Sequence, residues 1–240
     1  MRKCVLVTGG SRGIGEGIVR KFYAEGWDTA FCYRKREEQA RALCAELPGV
    51  LAIKADVSDE AQAASLVSQT EKAFGHIDAL VCSAGIAQYR LLTDVTVQEF
   101  DRLFAVNVRG VFLCCRAVLP GMIRRKSGSI VTISSIWGEV GASCEVVYSA
   151  SKGAVISLTK ALAKEVGPSG IRVNSVSPGT VLTDMVRSLG EEALEQLRLD
   201  TPLELLGTPD MIADAAYFLA SDASRFITGQ ILGASGGYVI

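Results

Sequence analysis

The sequence predicts an α/β fold, a parallel sheet covered by helices on both faces, and three observations carry that expectation. Short apolar runs rich in β-formers alternate with segments of helical period along the whole chain. Runs such as Val5-Leu6-Val7 are apolar at both parities, as a strand buried on both sides must be. The first run passes straight into a glycine-rich turn and then a helical segment, a strand–turn–helix opening.

Taken in order, strands are expected at Cys4–Val7, Thr29–Tyr33, Val50–Lys54, Ala79–Cys82, Ser129–Ile133 and Arg172–Val176, with a last short one near Gln230–Leu232. Helices are expected at Ile14–Glu25, Glu37–Leu47, Glu60–Phe74, Val97–Leu119, Tyr148–Val166, Glu191–Leu197 and Asp210–Leu219. Strand–helix alternation of this kind demands parallel crossovers, giving a doubly wound sheet. Residues 180–209 break the alternation with Gly, Pro and charge, and are expected to form a mobile cover over the carboxyl edge of the sheet. No solenoid-period repeat or Pro/Ser-rich linker divides the chain, so the expectation is one domain over 1–240 with that lid.

Composition narrows the function classes. With 25 Lys+Arg against 26 Asp+Glu the chain has no global field to draw in nucleic acid or an anionic membrane, and neither partner is expected. The seven cysteines, Cys4, Cys32, Cys44, Cys82, Cys114, Cys115 and Cys144, are odd in number and form no CxxC pair. That pattern predicts free thiols in a reducing, cytoplasmic setting and no metal framework. The single His76 predicts a turn residue, since one histidine makes neither a metal site nor a Ser–His pair. Cys4–Val7 is too short for a signal-peptide core, and no uncharged apolar run approaches the ~18 residues of a spanning helix, so a soluble protein is expected.

The turn Thr8-Gly9-Gly10-Ser11-Arg12-Gly13-Ile14-Gly15 is where chemistry first shows. A pyrophosphate must come close to backbone amides at a helix N-terminus, and a Cβ there would obstruct it. The spacing is GxxxGxG through Gly9, Gly13 and Gly15, and no Gly-Lys-Ser/Thr follows, so a dinucleotide is favoured over a Walker-type site. About 20 residues on, the second strand ends at Tyr33-Arg34-Lys35-Arg36. By itself that run reads as a solvated charge cluster opening a helix. At the position that selects the adenosine ribose, with no acid present, Arg34 and Lys35 together with Arg12 favour a 2′-phosphate, hence NADP(H). Asp56 after the third strand reads either as a contact to the adenine edge or as a turn acid before the next helix.

A second constellation follows the fifth strand. Ser134 and Ser135 end it, and thirteen residues beyond Ser135 comes Tyr148-Ser149-Ala150-Ser151-Lys152. Tyr148 and Lys152, four apart, share a helix face. A lysine ammonium nearby is expected to lower the tyrosine pKa toward a useful value, and Ser135 at a strand's carboxyl end could hold a substrate oxygen beside it. Trp137 reads as a packing residue or as part of the substrate pocket.

With these residues in place the chain resembles the short-chain dehydrogenase/reductase family over essentially its whole length. The match rests on the glycine turn, Asp56-Val57, Ala84-Gly85, Asn107, Ser135, Tyr148, Lys152 and Pro178-Gly179. The resemblance implies a Rossmann-type sheet of about seven strands and a Ser–Tyr–Lys–Asn centre that reduces a carbonyl. In that arrangement Tyr148 donates the proton, Lys152 binds the nicotinamide ribose, Ser135 orients the carbonyl, and Asn107, inside a long helix, holds a water. Gly9, Ser11, Arg12, Gly13, Ile14, Gly15, Arg34, Lys35, Asp56, Val57, Ser83, Ala84 and Gly85 would line the cofactor. So would Tyr148, Lys152, Ile133 through its backbone, Pro178, Gly179, Val181 and Thr183. Cys82-Ser83 stands where the family usually has asparagine.

Within the family the chain most resembles reductases of 3-oxoacyl groups on an acyl carrier protein, on Gly170–Gly179 and Thr183-Asp184-Met185. An acidic carrier needs a basic landing site, for which Arg124-Arg125-Lys126 and Arg172 are candidates; the first three also read as a cationic helix end. A steroid, sugar or xenobiotic ketone is the alternative substrate, and a nucleotide-binding regulator without catalysis the alternative of another class. The family further implies a homotetramer formed through Val97–Leu119 and Tyr148–Val166.

Overall fold

The computed structural model describes residues 2–183, 186 and 190–239. Asp184 and Met185, used in the substrate resemblance, therefore lie outside the described residues, as does part of the expected lid.

Seven parallel strands run in the order β3-β2-β1-β4-β5-β6-β7. They are β1 Cys4–Thr8, β2 Asp28–Tyr33, β3 Leu51–Lys54, β4 Ala79–Cys82, β5 Gly128–Ile133, β6 Ile171–Pro178 and β7 Ile231–Ala234. The order reverses between β1 and β4, where Val5 pairs with Ala79 and Thr8 with Cys82. At such a switch point neighbouring crossovers leave on opposite faces, and a crevice opens at the carboxyl ends.

The helices are α1 Gly13–Ala24, α2 Glu37–Glu46, α3 Glu60–Phe74, α4 Val97–Phe104, α5 Gly110–Arg125, α6 Trp137–Val140, α7 Val146–Val166, α8 Glu191–Leu199 and α9 Pro209–Ala220. Two cores separate across the sheet. On one face Leu66, Cys114, Cys115, Met122, Val155 and Val166 of α3, α5 and α7 pack on Leu6, Leu80 and Ile130. On the other, Ile18, Phe22, Leu43, Ile212 and Leu219 of α1, α2 and α9 pack on Val5, Phe31 and Val131. The two parities of each strand feed different cores, which is why the strand runs are apolar throughout.

Starts of helices follow local chemistry. Asp59 accepts the Gln62 amide at 2.9 Å to cap α3, and Thr96 with Glu99 forms a reciprocal capping box on α4. Three expectations need correction. The helix expected to end at Leu119 continues through Pro120 to Arg125, because Gly121 and Met122 are buried against the core and outweigh one lost backbone bond. That same helix is not continuous: Ala105–Arg109 widens into a π turn between α4 and α5. The stretch between Ser135 and Tyr148, where no helix is expected, holds the short α6, and α7 begins two residues early at Val146. A side chain at Gly138 would stand 2.7 Å from the Lys152 carbonyl carbon, so glycine there lets α6 close on α7.

The run Val97–Arg125 is long and apolar enough to cross a membrane by length and composition. Its inner side chains Val111, Leu113, Cys114, Val118 and Met122 are instead spent in the core. The base of the 180–209 segment is closed by the bridge Val181–Gly207 and by the Gly207 amide on the Thr180 carbonyl at 2.9 Å.

Candidate active site

A cleft of about 460 Å³ opens at the carboxyl ends of the strands. Its wall contains every residue expected at a cofactor: Gly9, Ser11, Arg12, Gly13, Ile14, Gly15, Arg34, Lys35, Asp56, Val57, Ser83, Ala84, Gly85, Tyr148, Lys152, Pro178, Gly179, Val181 and Thr183. Ser135 lines it too, whereas Asn107 stands behind the wall, 1% exposed.

The glycine turn is closed as tightly as its sequence implies. Gly9 and Gly13 have φ of +71° and +54°, values that a Cβ disfavours. A Cβ at Gly15 would lie 2.2 Å from the Gly9 carbonyl oxygen, and one at Gly9 2.8 Å from Ala84 Cα. The first turn of α1 therefore presents bare backbone to the cleft, a cradle that suits a pyrophosphate. Opposite it, the Thr8 hydroxyl accepts the amides of Ser83 and Ala84, both at 3.1 Å. Those bonds fix the segment where asparagine was expected, while Cys82 turns inward to a hydrogen bond with Cys115.

At the far end Arg12, Arg34, Lys35 and Arg36 form a cationic corner. Arg34 Nε sits 2.8 Å from Asp56 Oδ2, and the Ser58 amide and hydroxyl donate to Asp56 Oδ1 at 3.0 and 2.7 Å. Burial alone would raise the Asp56 carboxyl; the Ser58 bonds and the cations Arg34 and Arg102 together hold it below its ordinary value. Asp59, not Asp56, caps the following helix, so Asp56 is free to face the cleft. Arg102 of α4 also lines the wall and was not expected from sequence, because no motif marks a residue that arrives from a distant helix.

The other end holds the chemistry. The Ser135 hydroxyl stands close enough to Tyr148 to lower its phenol, and Trp137 donates its amide to Ser135 Oγ at 3.2 Å. Lys152 Nζ lies 5.6 Å from the centre of the Tyr148 ring and donates to the Ile133 carbonyl at 2.9 Å. Asn107 in the π turn donates to the Ile86 carbonyl at 2.9 Å and to Ser151 Oγ at 3.1 Å, and accepts the Ile86 amide at 2.9 Å. Ser151 passes the chain on to the Tyr148 carbonyl at 2.7 Å. A π turn rotates the helix face locally, and here it aims an amide at the cleft loop.

One electrostatic expectation is reversed. Burial pulls Lys152 down to about 8 and pushes the Tyr148 phenol up to about 12, against the bond from Ser135 and with the nearby Glu145. Desolvation dominates at the resting phenol and outweighs the lowering by the Ser135 hydroxyl. Tyr148 is thus a protonated phenol at neutral pH, poised to give a proton rather than to take one.

Other candidates fall outside the cleft. Trp137 stacks edge-on against Tyr238 at 5.8 Å, a packing role. His76 pairs with Asp78 at 2.9 Å before β4, at the opposite edge of the sheet. Arg172 is not free to receive a carrier. Its guanidinium closes the end of α9, donating to the carbonyls of Leu219, Ala220 and Ser221 and to the Ser224 hydroxyl at 2.6–3.1 Å. Arg125 is likewise bound to the Ile77 carbonyl, at 2.5 Å.

Comparison with known proteins gives the same picture at the level of whole chains. A family model described as "Enoyl-(Acyl carrier protein) reductase" matches residues 9–239. The chain is 40% identical to the uncharacterized oxidoreductase YmfI of Bacillus subtilis over 240 residues, covering 99% of each chain. It is 39% identical to the 3-oxoacyl-[acyl-carrier-protein] reductase FabG of Staphylococcus aureus, covering 99% of this chain and 98% of that one. A solved structure of ElxO with NADP bound superposes with a TM-score of 0.93 at 34% identity, over 99% of each chain.

Proposed function

The chain belongs to the short-chain dehydrogenase/reductase family of oxidoreductases, and on that premise we propose that it is an NADPH-dependent carbonyl reductase acting on 3-oxoacyl thioesters. The observation that carries the reading is the convergence of Ser135, Tyr148 and Lys152 in one cleft with the glycine cradle and the cationic corner. Similarity to FabG supports the thioester, and the NADP-bound relative supports the cofactor.

NADPH, when bound, supplies the hydride. The amides of α1 and Ser11 would take the pyrophosphate, Arg12, Arg34 and Lys35 the 2′-phosphate, and Asp56 with Val57 the adenine edge. Ser83, Ala84, Gly85, Pro178, Gly179, Val181 and Thr183 would border the nicotinamide half. Ser135 donates a hydrogen bond to the substrate carbonyl, and Tyr148, protonated across the neutral range, delivers its proton to that oxygen. Lys152, its Nζ 5.6 Å from the centre of the Tyr148 ring, then balances the phenolate with its charge. Asn107 positions the loop at Ile86 and, through Ser151, the turn that carries Tyr148.

The part of 180–209 that contributes Val181, Thr183 and Val186 to the wall serves as the substrate cover. Exposed Val97, Phe100 and Phe112 on α4 and α5, beside a groove lined by Phe104, Val108 and Arg109, suit burial against further copies in a homotetramer. Seven free thiols suit the reducing cytoplasm. An acyl carrier protein, if it delivers the substrate, must use cations other than Arg125 and Arg172. Reduction of acetoacetyl thioester, followed by loss of NADPH absorbance, tests the reading against cyclic ketones and sugars. Turnover of the thioester is expected; a panel in which only steroid, sugar or cyclic ketones react would replace the substrate and keep the chemistry.

A further inference from the structure

Two segments meet at the mouth of the cleft. One runs outward from Ile86 through Tyr89 to Leu92; the other, residues 141–145, leads into the helix that carries Tyr148. They are joined at Cys144, whose carbonyl accepts the Arg90 amide at 2.6 Å and whose thiol lies beside the Tyr89 phenol. The Ala142 amide adds a bond to Ser149 Oγ at 3.2 Å. Around this seam stand large apolar side chains in solvent: Tyr89 (78% exposed), Leu91, Leu92, Val140 and Val146.

The charges beside them are unbalanced. Arg90 is taken up by Glu99 at 3.0 Å, and Glu139 is hydrogen-bonded by the Ser177 hydroxyl. Glu145, the residue just before α7, is three positions from Tyr148 and so shares its side of the first turn. Its charge raises both Tyr89 and Tyr148, so the carboxyl stands near both phenols, and its own partial burial raises it above its ordinary value.

We propose that this seam is a specificity filter that admits a neutral carbonyl compound with an apolar tail and rejects one bearing a free carboxylate. Tyr89, Leu91, Val140 and Val146 carry the tail, and Glu145 repels the anion. The inference rests on the carbonyl-reductase reading and deepens it. Each methylene removed from water tightens binding about fourfold, so a longer chain gains on this surface. A second carboxylate near Glu145 meets its repulsion, and Arg90, the one cation on these two segments, is already paired.

The test uses the full chain with NADPH and three probes: N-acetylcysteamine thioesters of 3-oxobutanoate and 3-oxodecanoate, and free 3-oxodecanoate. The wild type should prefer the ten-carbon thioester to the free acid by at least about tenfold in kcat/KM. Glu145→Gln, with Glu145→Ala as a second variant, should cut that ratio about tenfold. Leu91→Ser with Val146→Ser should raise KM for the ten-carbon thioester several times more than for the four-carbon one. Unchanged ratios in both sets, with turnover retained, overturn the filter alone. Absence of turnover with either thioester in the wild type overturns the parent reading and the filter with it.

Discussion

Lys152 donates its ammonium to the Ile133 carbonyl at 2.9 Å, tying the second turn of α7 to the last residue of β5. The bond crosses from one secondary element to another at the point where substrate and cofactor would meet. It keeps a long, flexible side chain in one geometry and leaves its charge buried, with only 6% of the residue exposed. The cost of that burial is visible in the fall of the lysine to about 8.

A pH dependence of stability follows. An unfolded lysine keeps its proton to 10.5, whereas folded Lys152 releases it at about 8. Between those values the unfolded chain binds more protons, so stability rises with pH. Urea unfolding should therefore show the wild type gaining on Lys152→Met between about pH 8 and about pH 10, at up to about 1.4 kcal/mol per pH unit. A difference that stays flat over that window would show the lysine to be solvated.

Asn107→Ala should be costly out of proportion to its size. It strands the Ile86 amide and carbonyl and removes the donor to Ser151 Oγ, which keeps its own bond to the Tyr148 carbonyl. The expected loss is about 2–4 kcal/mol of unfolding free energy, with kcat reduced more than NADPH affinity. A loss below about 1 kcal/mol would mean that water replaces the amide without strain.

The cationic corner predicts cofactor choice. Replacing Arg34 and Lys35 with acids should lower the ratio of NADPH to NADH affinity by about 10–100-fold, since charge-assisted bonds to a 2′-phosphate are lost and repulsion takes their place. Titration of each cofactor by fluorescence reads it directly. An unchanged ratio would falsify the assignment of this corner to the phosphate.

How far the sequence could be read depends on the range of the interactions. Strand positions and the glycine turn are local: apolar parity and missing Cβ atoms announce them, and Gly9, Gly13 and Gly15 stand where the turn needs them. The Tyr148–Lys152 spacing is local too. What escaped is set by contacts distant in sequence. The π turn around Asn107 is one extra residue in a helix that carries no Pro or Gly at that point, and it is stabilised by Ile86 and Ser151 from other elements. Arg102 reaches the cleft only because α4 crosses its rim. No helix was expected at Trp137–Val140, a single turn too short to show a period, and Gly138 there lets helix meet helix. The sign of the Tyr148 shift was missed because a spacing argument counts the neighbouring charge and not the desolvation around it. Arg172 looked available until the carbonyls at the end of α9 were placed beside it.

The central claim is that Tyr148 gives the proton in a site that holds the cofactor mainly through other groups. Tyr148→Phe removes one hydroxyl and leaves the ring, the Lys152–Ile133 bond and the glycine cradle untouched. Measured side by side, NADPH-dependent thioester reduction should fall by at least about 10²-fold while the NADPH dissociation constant changes less than about threefold. Turnover within about tenfold of the wild type would contradict the account and require another proton donor in this cleft.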